Sequence, residues 1–234
     1  MTTHDMAQES WKRLAGEAAA ALVEDGMLIG LGTGTTANHF IKALGQRVQA
    51  GLHVAGTVSS SHASQELAAS YGIPLTDLDT HPELDLYVDG ADEIDPQLQL
   101  LKGAGGALLR EKIVTASARR FIVIADITKQ VVHLGERFPV PVETTPFAQT
   151  PVRKRLEALG ASVRVRQKEG KTFVTENANI ILDCAFPAGI PDPLELNRHM
   201  HDIVGVVETG LFINMAYQGI IAGPAGIETL YARR

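Results

Sequence analysis

The chain has 234 residues, 45% hydrophobic and 21% charged, enough to bury a sizeable core in one large domain or two small ones. Its formal net charge of −6 counts against a non-specific nucleic-acid binder, which would carry a basic face, but not against a small phosphorylated ligand held by a local cluster of donors. The single cysteine, Cys184, excludes an internal disulfide framework and fits a reducing, cytoplasmic setting; in the apolar run IILDCAF it reads as a buried structural thiol.

The N-terminus, MTTHDMAQESWK, lacks the pattern of a secretory signal. Trp11, Leu14, Ala15, Ala18, Ala21 and Leu22 recur at helical spacing and predict an amphipathic helix ending near Asp25–Gly26. MLIGL reads as a short strand, GTGTT as a loop, and Ala37 to Leu44 as a second helix that Gly45 can stop. His53 to Val58 reads as a strand, followed by a serine-capped helix in SSSHASQELAASYG with Gly72 beyond its end. Leu84 to Val88 and Phe121 to Ala125 read as buried strands, with a helix from Leu108 to Ala118 between them. Continuously apolar strands alternating with helices predict a doubly wound, mostly parallel, Rossmann-like α/β sheet.

The pattern changes near Phe138. PVPVE, a helix from Pro151 to Gly160 and the strand Ser162 to Arg166 form a β-α-β unit. TFVTE and IILDC flank Asn177 to Asn179 as a hairpin; Pro193 to Ile203 reads as a helix and Val206 to Phe212 as a strand. This β-α-β-β-α-β order predicts a smaller ferredoxin-like α+β domain over 138–211, inserted in a Rossmann-like domain of 1–137 plus 212–234 whose last strand returns in GIIAG. No apolar run approaches the ~20 residues that span a bilayer.

Three segments carry chemistry. GTGTT, Gly32 to Thr36, joins a strand to a helix, where free N–H groups and the helix dipole suit a phosphate and Thr33, Thr35 and Thr36 add hydroxyls. A tight turn with an incidental threonine cap explains it equally well. DGADE, Asp89 to Glu93, sets carboxylates at the carboxyl end of a strand, where open α/β sheets bind ligands. Asp89, Asp92 and Glu93 suit a hard cation such as Mg²⁺, or the aspartates suit sugar hydroxyls and proton shuttling; a solvated acidic turn is the plainer account. In KGAGGALLREK, Lys102 leads a glycine-rich loop into a helix that carries Glu111 about two turns in. Lys102 offers fixed charge for an oxyanion or phosphate, and Glu111 a general base, against the plainer reading of an exposed carboxylate in any REK. Lys129, after FIVIA, is a further cation at a strand end or an ordinary solvated lysine. The eight histidines form no metal set: His199 and His201 do not share a helix face, and His62 only edges the serine-rich segment.

Taken in order, GTGTT, VSSSHAS, YVDGADEID, KGAGGALLREK, ADITKQV, FPVPVE and ETGLF closely resemble the type A ribose-5-phosphate isomerases, from about Trp11 to Gly226. The resemblance implies an aldose–ketose isomerase of the pentose phosphate pathway, interconverting D-ribose 5-phosphate and D-ribulose 5-phosphate through an enediolate. It implies a catalytic set of Glu111 as base, Asp89 and Lys102. It implies substrate binding by Thr33, Gly34, Thr35 and Thr36, by Asp89, Gly90, Ala91 and Asp92, by Lys102, Gly103, Ala104 and Gly105, and by Lys129. No metal or other cofactor is implied, which disfavours the Mg²⁺ reading of DGADE. The expected partner is a small sugar phosphate, without nucleic acid or membrane, in a cytoplasmic homodimer or higher homo-oligomer. Ala104 stands where the family usually has glycine; were a left-handed backbone needed there, alanine would cost ~1 kcal/mol. The rival readings are an amino-sugar-phosphate deaminase or coenzyme A transferase of the same fold group, and a non-catalytic sugar-phosphate sensor. The sensor reading would call for loss of the base, and Glu111 is present.

Overall fold

The computed structural model describes residues 3–232 and divides the chain into two compact units. The first takes in Met1–Ala91, Arg110–Lys129 and Met215–Arg234; the second takes in Asp92–Leu109 and Gln130–Asn214. The second unit thus spans more than residues 138–211: it also takes in Asp92–Leu109 and residues 130–137, so the division falls inside DGADE, between Ala91 and Asp92.

The first unit is built on a six-stranded sheet ordered Gly226–Tyr231, Gln218–Gly223, Phe121–Asp126, Leu86–Asp89, Leu28–Leu31, Gly56–Ser59. The last five are parallel, and Gly226–Tyr231 runs antiparallel along the edge. Counted along the chain, the parallel strands lie in the order 2-1-3-4-5. The strand order therefore reverses between Leu28–Leu31 and Leu86–Asp89, the place where doubly wound sheets bind ligands beyond their carboxyl ends. The helices Thr3–Ala20 and Thr35–Gln49 contribute Ala15, Ala19, Phe40, Ile41 and Leu44 to a core shared with Ile29, Leu31, Leu86, Val88 and Ile124.

Several boundaries move from their sequence expectations. The helix expected to stop at Gly45 runs on to Gln49. Gly45 serves close packing, since a Cβ there would stand 2.5 Å from that of Tyr71. The strand expected over 84–88 covers Leu86–Asp89, which makes Asp89 its last residue. The mostly exposed edge strand Gly226–Tyr231 gave no apolar run to read.

The second unit carries a four-stranded antiparallel sheet ordered Val206–Thr209, Val140–Thr144, Ile180–Ala185, Ser162–Val165, with helices Gln149–Ala158 and Pro193–His201. Its β-α-β-β-α-β connectivity is the ferredoxin-like order. The expected strand Val206 to Phe212 breaks at Gly210, where a Cβ would stand 2.5 Å from Pro141. Leu211–Phe212 then joins a separate small sheet with Leu100–Leu101 and Glu93–Ile94. The hairpin also shifts: Gln167–Lys168 pairs with Lys171–Thr172 around Glu169 (φ 52°) and Gly170 (φ 74°), the two positive-φ residues of a tight primed turn. Only a bridge from Val174 to Ile180 remains of the expected pairing. Among the described residues, no helix is long and apolar enough to cross a membrane.

Candidate active site

In the first unit the site is organised by one carboxylate. Asp89 is fully buried at the end of its strand. Its Oδ1 accepts from the Thr33 N–H (2.9 Å) and the Gly90 N–H (2.7 Å), and its Oδ2 accepts from the Tyr87 hydroxyl. A carboxyl group shut away from water requires such donors, and Thr33, Gly90 and Tyr87 supply them. GTGTT and DGAD are thereby tied together at the point where the strand order reverses. Gly32 makes the approach possible, because any side chain there would overlap the Asp89 carboxyl.

Thr33 turns inward. Its hydroxyl lies 2.8 Å from Ser60 Oγ and 2.9 Å from Ser61 Oγ, and Ser64 Oγ donates to the Gly32 carbonyl at 2.6 Å. Gly34 is the N-cap of the 15-residue helix Thr35–Gln49, with φ 107° and no side-chain cap. The first-turn N–H groups of that helix are therefore not consumed by a capping side chain, a donor set suited to an anion. Gly34 and Thr35 are exposed and Thr36 is buried. Gly90 and Ala91 are half-buried.

Glu111 lies in the first turn of the helix Leu108–Ser117, not two turns in, and is only 4% exposed. Burial thus separates it from the solvated carboxylate that the REK triplet suggests. Tyr87 connects it to Asp89 electrostatically. Desolvation first, then the charges of Asp89 and Glu111, push the Tyr87 phenol well above its ordinary value, so it stays a neutral donor. Tyr87 stacks on Phe121, with ring centroids 5.1 Å apart. Lys129 is half-buried in a short 3-10 turn directly after the strand Phe121–Asp126.

In the second unit, Lys102 is 2% exposed, with its ammonium 5.4 Å from the centre of the Phe212 ring. Burying such a charge is costly, and structures retain it where it has work to do or partners to meet. Gly103 (φ 100°) and Gly106 (φ 88°) supply the left-handed turns of the loop. Ala104 is not in that region, so alanine is unstrained at the position where the family usually has glycine. Ala104 and Gly105 are exposed, and the Ala104 N–H donates to Asp92 Oδ2 at 2.8 Å.

Glu93 has a different task from its acidic neighbours. It is fully buried; Oε1 accepts from the N–H groups of Arg137 (2.6 Å) and Phe138 (2.8 Å), and Oε2 from Gly135 (2.6 Å). It fixes a loop, and both its oxygens are engaged, so DGADE does not act as one oxygen cage. No group of three or more His, Cys, Asp or Glu side chains among the described residues is arranged to hold a metal. His201 is hydrogen-bonded to Asn197 and Glu208, and His62 opens a helix capped by Ser61.

Sequence reasoning missed Tyr87, the serine cluster around Thr33, and Arg166. Tyr87 was legible in principle, since it stands two residues before Asp89 and so on the same face of the strand. Arg166, in an alternating SVRVR, gave no signal; its guanidinium donates to the carbonyls of Gly103 (2.7 Å) and Ala104 (3.0 Å).

The first unit thus holds buried carboxylates and a helix terminus free of a side-chain cap, and the second holds a buried ammonium. The family model for ribose 5-phosphate isomerase A (phosphoriboisomerase A) matches residues 56–226. The chain is 52% identical over 222 residues to ribose-5-phosphate isomerase A of Synechococcus sp. (strain JA-3-3Ab), covering 94% of this chain and 96% of that protein. It is 49% identical over 217 residues to the Bacillus mycoides (strain KBAB4) protein of the same name, covering 93% and 97%. Among solved structures, ribose 5 phosphate isomerase A from Neisseria gonorrhoeae matches with a TM-score of 0.90 at 38% identity, covering 97% of this chain and 98% of that one. A D-ribose-5-phosphate isomerase in complex with phospho-erythronic acid matches with a TM-score of 0.92 at 38% identity, covering 95% and 98%.

Proposed function

We infer that this chain, which belongs to the ribose 5-phosphate isomerase A family and interconverts D-ribose 5-phosphate and D-ribulose 5-phosphate, moves the substrate proton with Glu111. In the aldose-to-ketose direction the Glu111 carboxylate takes the proton from C2. The C–H electrons form the C1–C2 double bond, and the carbonyl electrons move onto O1. Glu111 then returns the proton to C1, the C2 hydroxyl loses its proton as the new carbonyl forms, and O1 gains one. Lys102 offsets the charge that grows on the enediolate oxygen. Asp89 assists ring opening and proton movement between the hydroxyls, and Asp92 with the Lys102–Gly105 loop orients the sugar. The N-terminus of the helix Thr35–Gln49, with Thr35, Thr36 and Lys129, holds the anionic end.

The observation that carries the assignment of the base is the burial of Glu111, 4% exposed beside the Asp89–Tyr87 pair. The sole thiol, buried and pushed far above its ordinary value by desolvation, is consistent with a cytoplasmic enzyme that uses no cysteine chemistry. A homodimer or larger homo-oligomer is supported by the family resemblance and by Phe147 and Val204, 100% and 95% exposed on an apolar groove of about 850 Å³ in the ferredoxin-like unit.

The test is Glu111→Gln in a ribose 5-phosphate turnover assay, with proton exchange followed in D₂O. Removing a positioned base lowers the rate by ~10²–10⁴-fold. The wild type should place deuterium at C1 of the ketose, and the variant should show neither turnover nor exchange above background. A folded Glu111→Gln protein that isomerises near the wild-type rate would sink the assignment.

A further inference from the structure

We propose that Arg166 is a positioning residue for the isomerisation, fixing the backbone of the Lys102–Gly105 loop and, through the Ala104 N–H, the Asp92 carboxylate that meets the sugar. The proposal rests on the reading of that loop as substrate-binding.

Arg166 follows the strand Ser162–Val165, and its backbone is fixed on both sides. Its N–H donates to Ile181 O (2.9 Å), and its carbonyl accepts from the Phe173 N–H (2.9 Å). The guanidinium divides its donors. Nε bonds Asp183 Oδ2 at 3.0 Å and Nη2 bonds Asp183 Oδ1, a forked grip that fixes the plane of the group. Nη1 is left to donate to two successive carbonyls, Gly103 O at 2.7 Å and Ala104 O at 3.0 Å. The Arg166 and Asp183 side chains are only 14% and 20% exposed, so little water competes for these bonds.

Peptide geometry sets the consequence. In a trans peptide the C=O and the following N–H point in opposite directions. With the Gly103 carbonyl turned to Arg166, the Ala104 N–H must point away, and it donates to Asp92 Oδ2 at 2.8 Å. That peptide plane is gripped at both ends. The Ala104 carbonyl faces the same guanidinium, so the Gly105 N–H points away from it. Arg166 thus holds the Ala104 N–H on a carboxylate assigned to the sugar and turns the Gly105 N–H away from itself, on a loop that begins at Lys102. Left-handed Gly103 and a Gly106 N–H bond to Gly103 O (3.0 Å) define the turn, but neither fixes the Ala104 carbonyl.

The test compares Arg166→Met, which keeps bulk and removes every donor, with Arg166→Lys and with Lys102→Ala as reference. An ammonium is a single point and cannot hold Asp183 in a fork while reaching both carbonyls. The readouts are kcat, KM, inhibition by phospho-erythronic acid and the urea midpoint. Misplacing a binding edge by ~1 Å costs ~10²-fold. Arg166→Met should therefore lose ~10–100-fold in kcat/KM and weaken phospho-erythronic acid binding, with Arg166→Lys between it and wild type. A merely structural role would shrink the active fraction and leave the inhibition constant unchanged; that outcome overturns the proposal. Wild-type kinetics in Arg166→Met alongside a crippled Lys102→Ala would also overturn it, while the loop's role stood. Wild-type kinetics in Lys102→Ala would overturn the reading of the loop itself, and the proposal with it.

Discussion

Gly32→Ala is a one-carbon change aimed at the bond that joins GTGTT to DGAD. Gly32 does not have a positive φ, so the cost of a methyl group is steric. The new Cβ would stand 2.5 Å from Asp89 Cβ and nearer still to the carboxyl carbon and Oδ1, against an ordinary separation of ~3.5–4 Å. Gly32 cannot easily retreat: its N–H donates to Val88 O at 2.9 Å and its carbonyl accepts from Ser64 Oγ at 2.6 Å. The Asp89 side chain must therefore move by about 1 Å, which strains its bonds from Thr33 and Gly90. Overpacking of this kind costs ~1–3 kcal/mol, and losing one hydrogen bond to the buried carboxylate adds ~1.5–3 kcal/mol. Together they amount to ~2.5–6 kcal/mol, with a further ~10²-fold in rate for whatever folded enzyme remains. Urea unfolding followed by circular dichroism reads the first effect, and kcat/KM per folded molecule reads the second. A variant within ~1 kcal/mol of wild type and within threefold of its kcat/KM would refute the claim that Asp89 holds the two loops together.

Lys102→Ala should lower kcat by far more than it raises KM, because the role proposed for Lys102 is to offset charge that grows only in the transition state. A raised KM at unchanged kcat would move Lys102 to ground-state binding. Tyr87→Phe removes the hydroxyl donor to Asp89 Oδ2 and should destabilise by ~1.5–3 kcal/mol at neutral pH. The phenol's folded pKa lies above its ordinary value of 10.0, so its stabilising contribution is complete below about pH 10 and is lost as pH rises towards the folded pKa. Wild type and Tyr87→Phe should therefore converge in stability above pH 10, and a gap that widens there would contradict the burial of a neutral Tyr87.

The fold was legible wherever apolar runs and turn residues agreed. FIVIA and MLIGL had no competing reading, and the change of period near Phe138 announced a second kind of sheet. Gly45 misled because a glycine inside a helix can serve either termination or close packing, and only the position of Tyr71 decides between them. Gly210 is the converse case: VVETGLF reads as one strand, yet the backbone passes so close to Pro141 and Lys102 that it breaks and feeds two sheets. The loops of the candidate site were legible from residue type and position, but not the division of labour within them. Glu93 is as acidic as Asp92, and only the N–H groups of Gly135, Arg137 and Phe138 mark it as an anchor. Arg166 was invisible for the same reason, since the loop carbonyls it holds lie over sixty residues earlier in the chain.

The acidic residues of this protein divide by what their burial demands. Asp89, Glu93, Asp126 and Glu143 have no exposure at all, and a buried carboxyl group is costly without hydrogen-bond partners. Asp89 is met by Thr33 and Gly90, Glu93 by the 135–138 turn, Asp126 by Thr128 and by Gln8 of the first helix, and Glu143, on Oε1 alone, by Thr175, Asn177 and Asn179. Loops satisfied in this way lose conformational freedom, because moving one strips a buried charge of its partners. A catalyst that stabilises a short-lived enediolate gains from that rigidity, since donors already in place need no reorganisation during the reaction. The acidity of the chain is therefore compatible with an anionic substrate: the carboxylates with no exposure are engaged by donors within the protein, and the groups assigned to the phosphate are peptide N–H groups, hydroxyls and lysines.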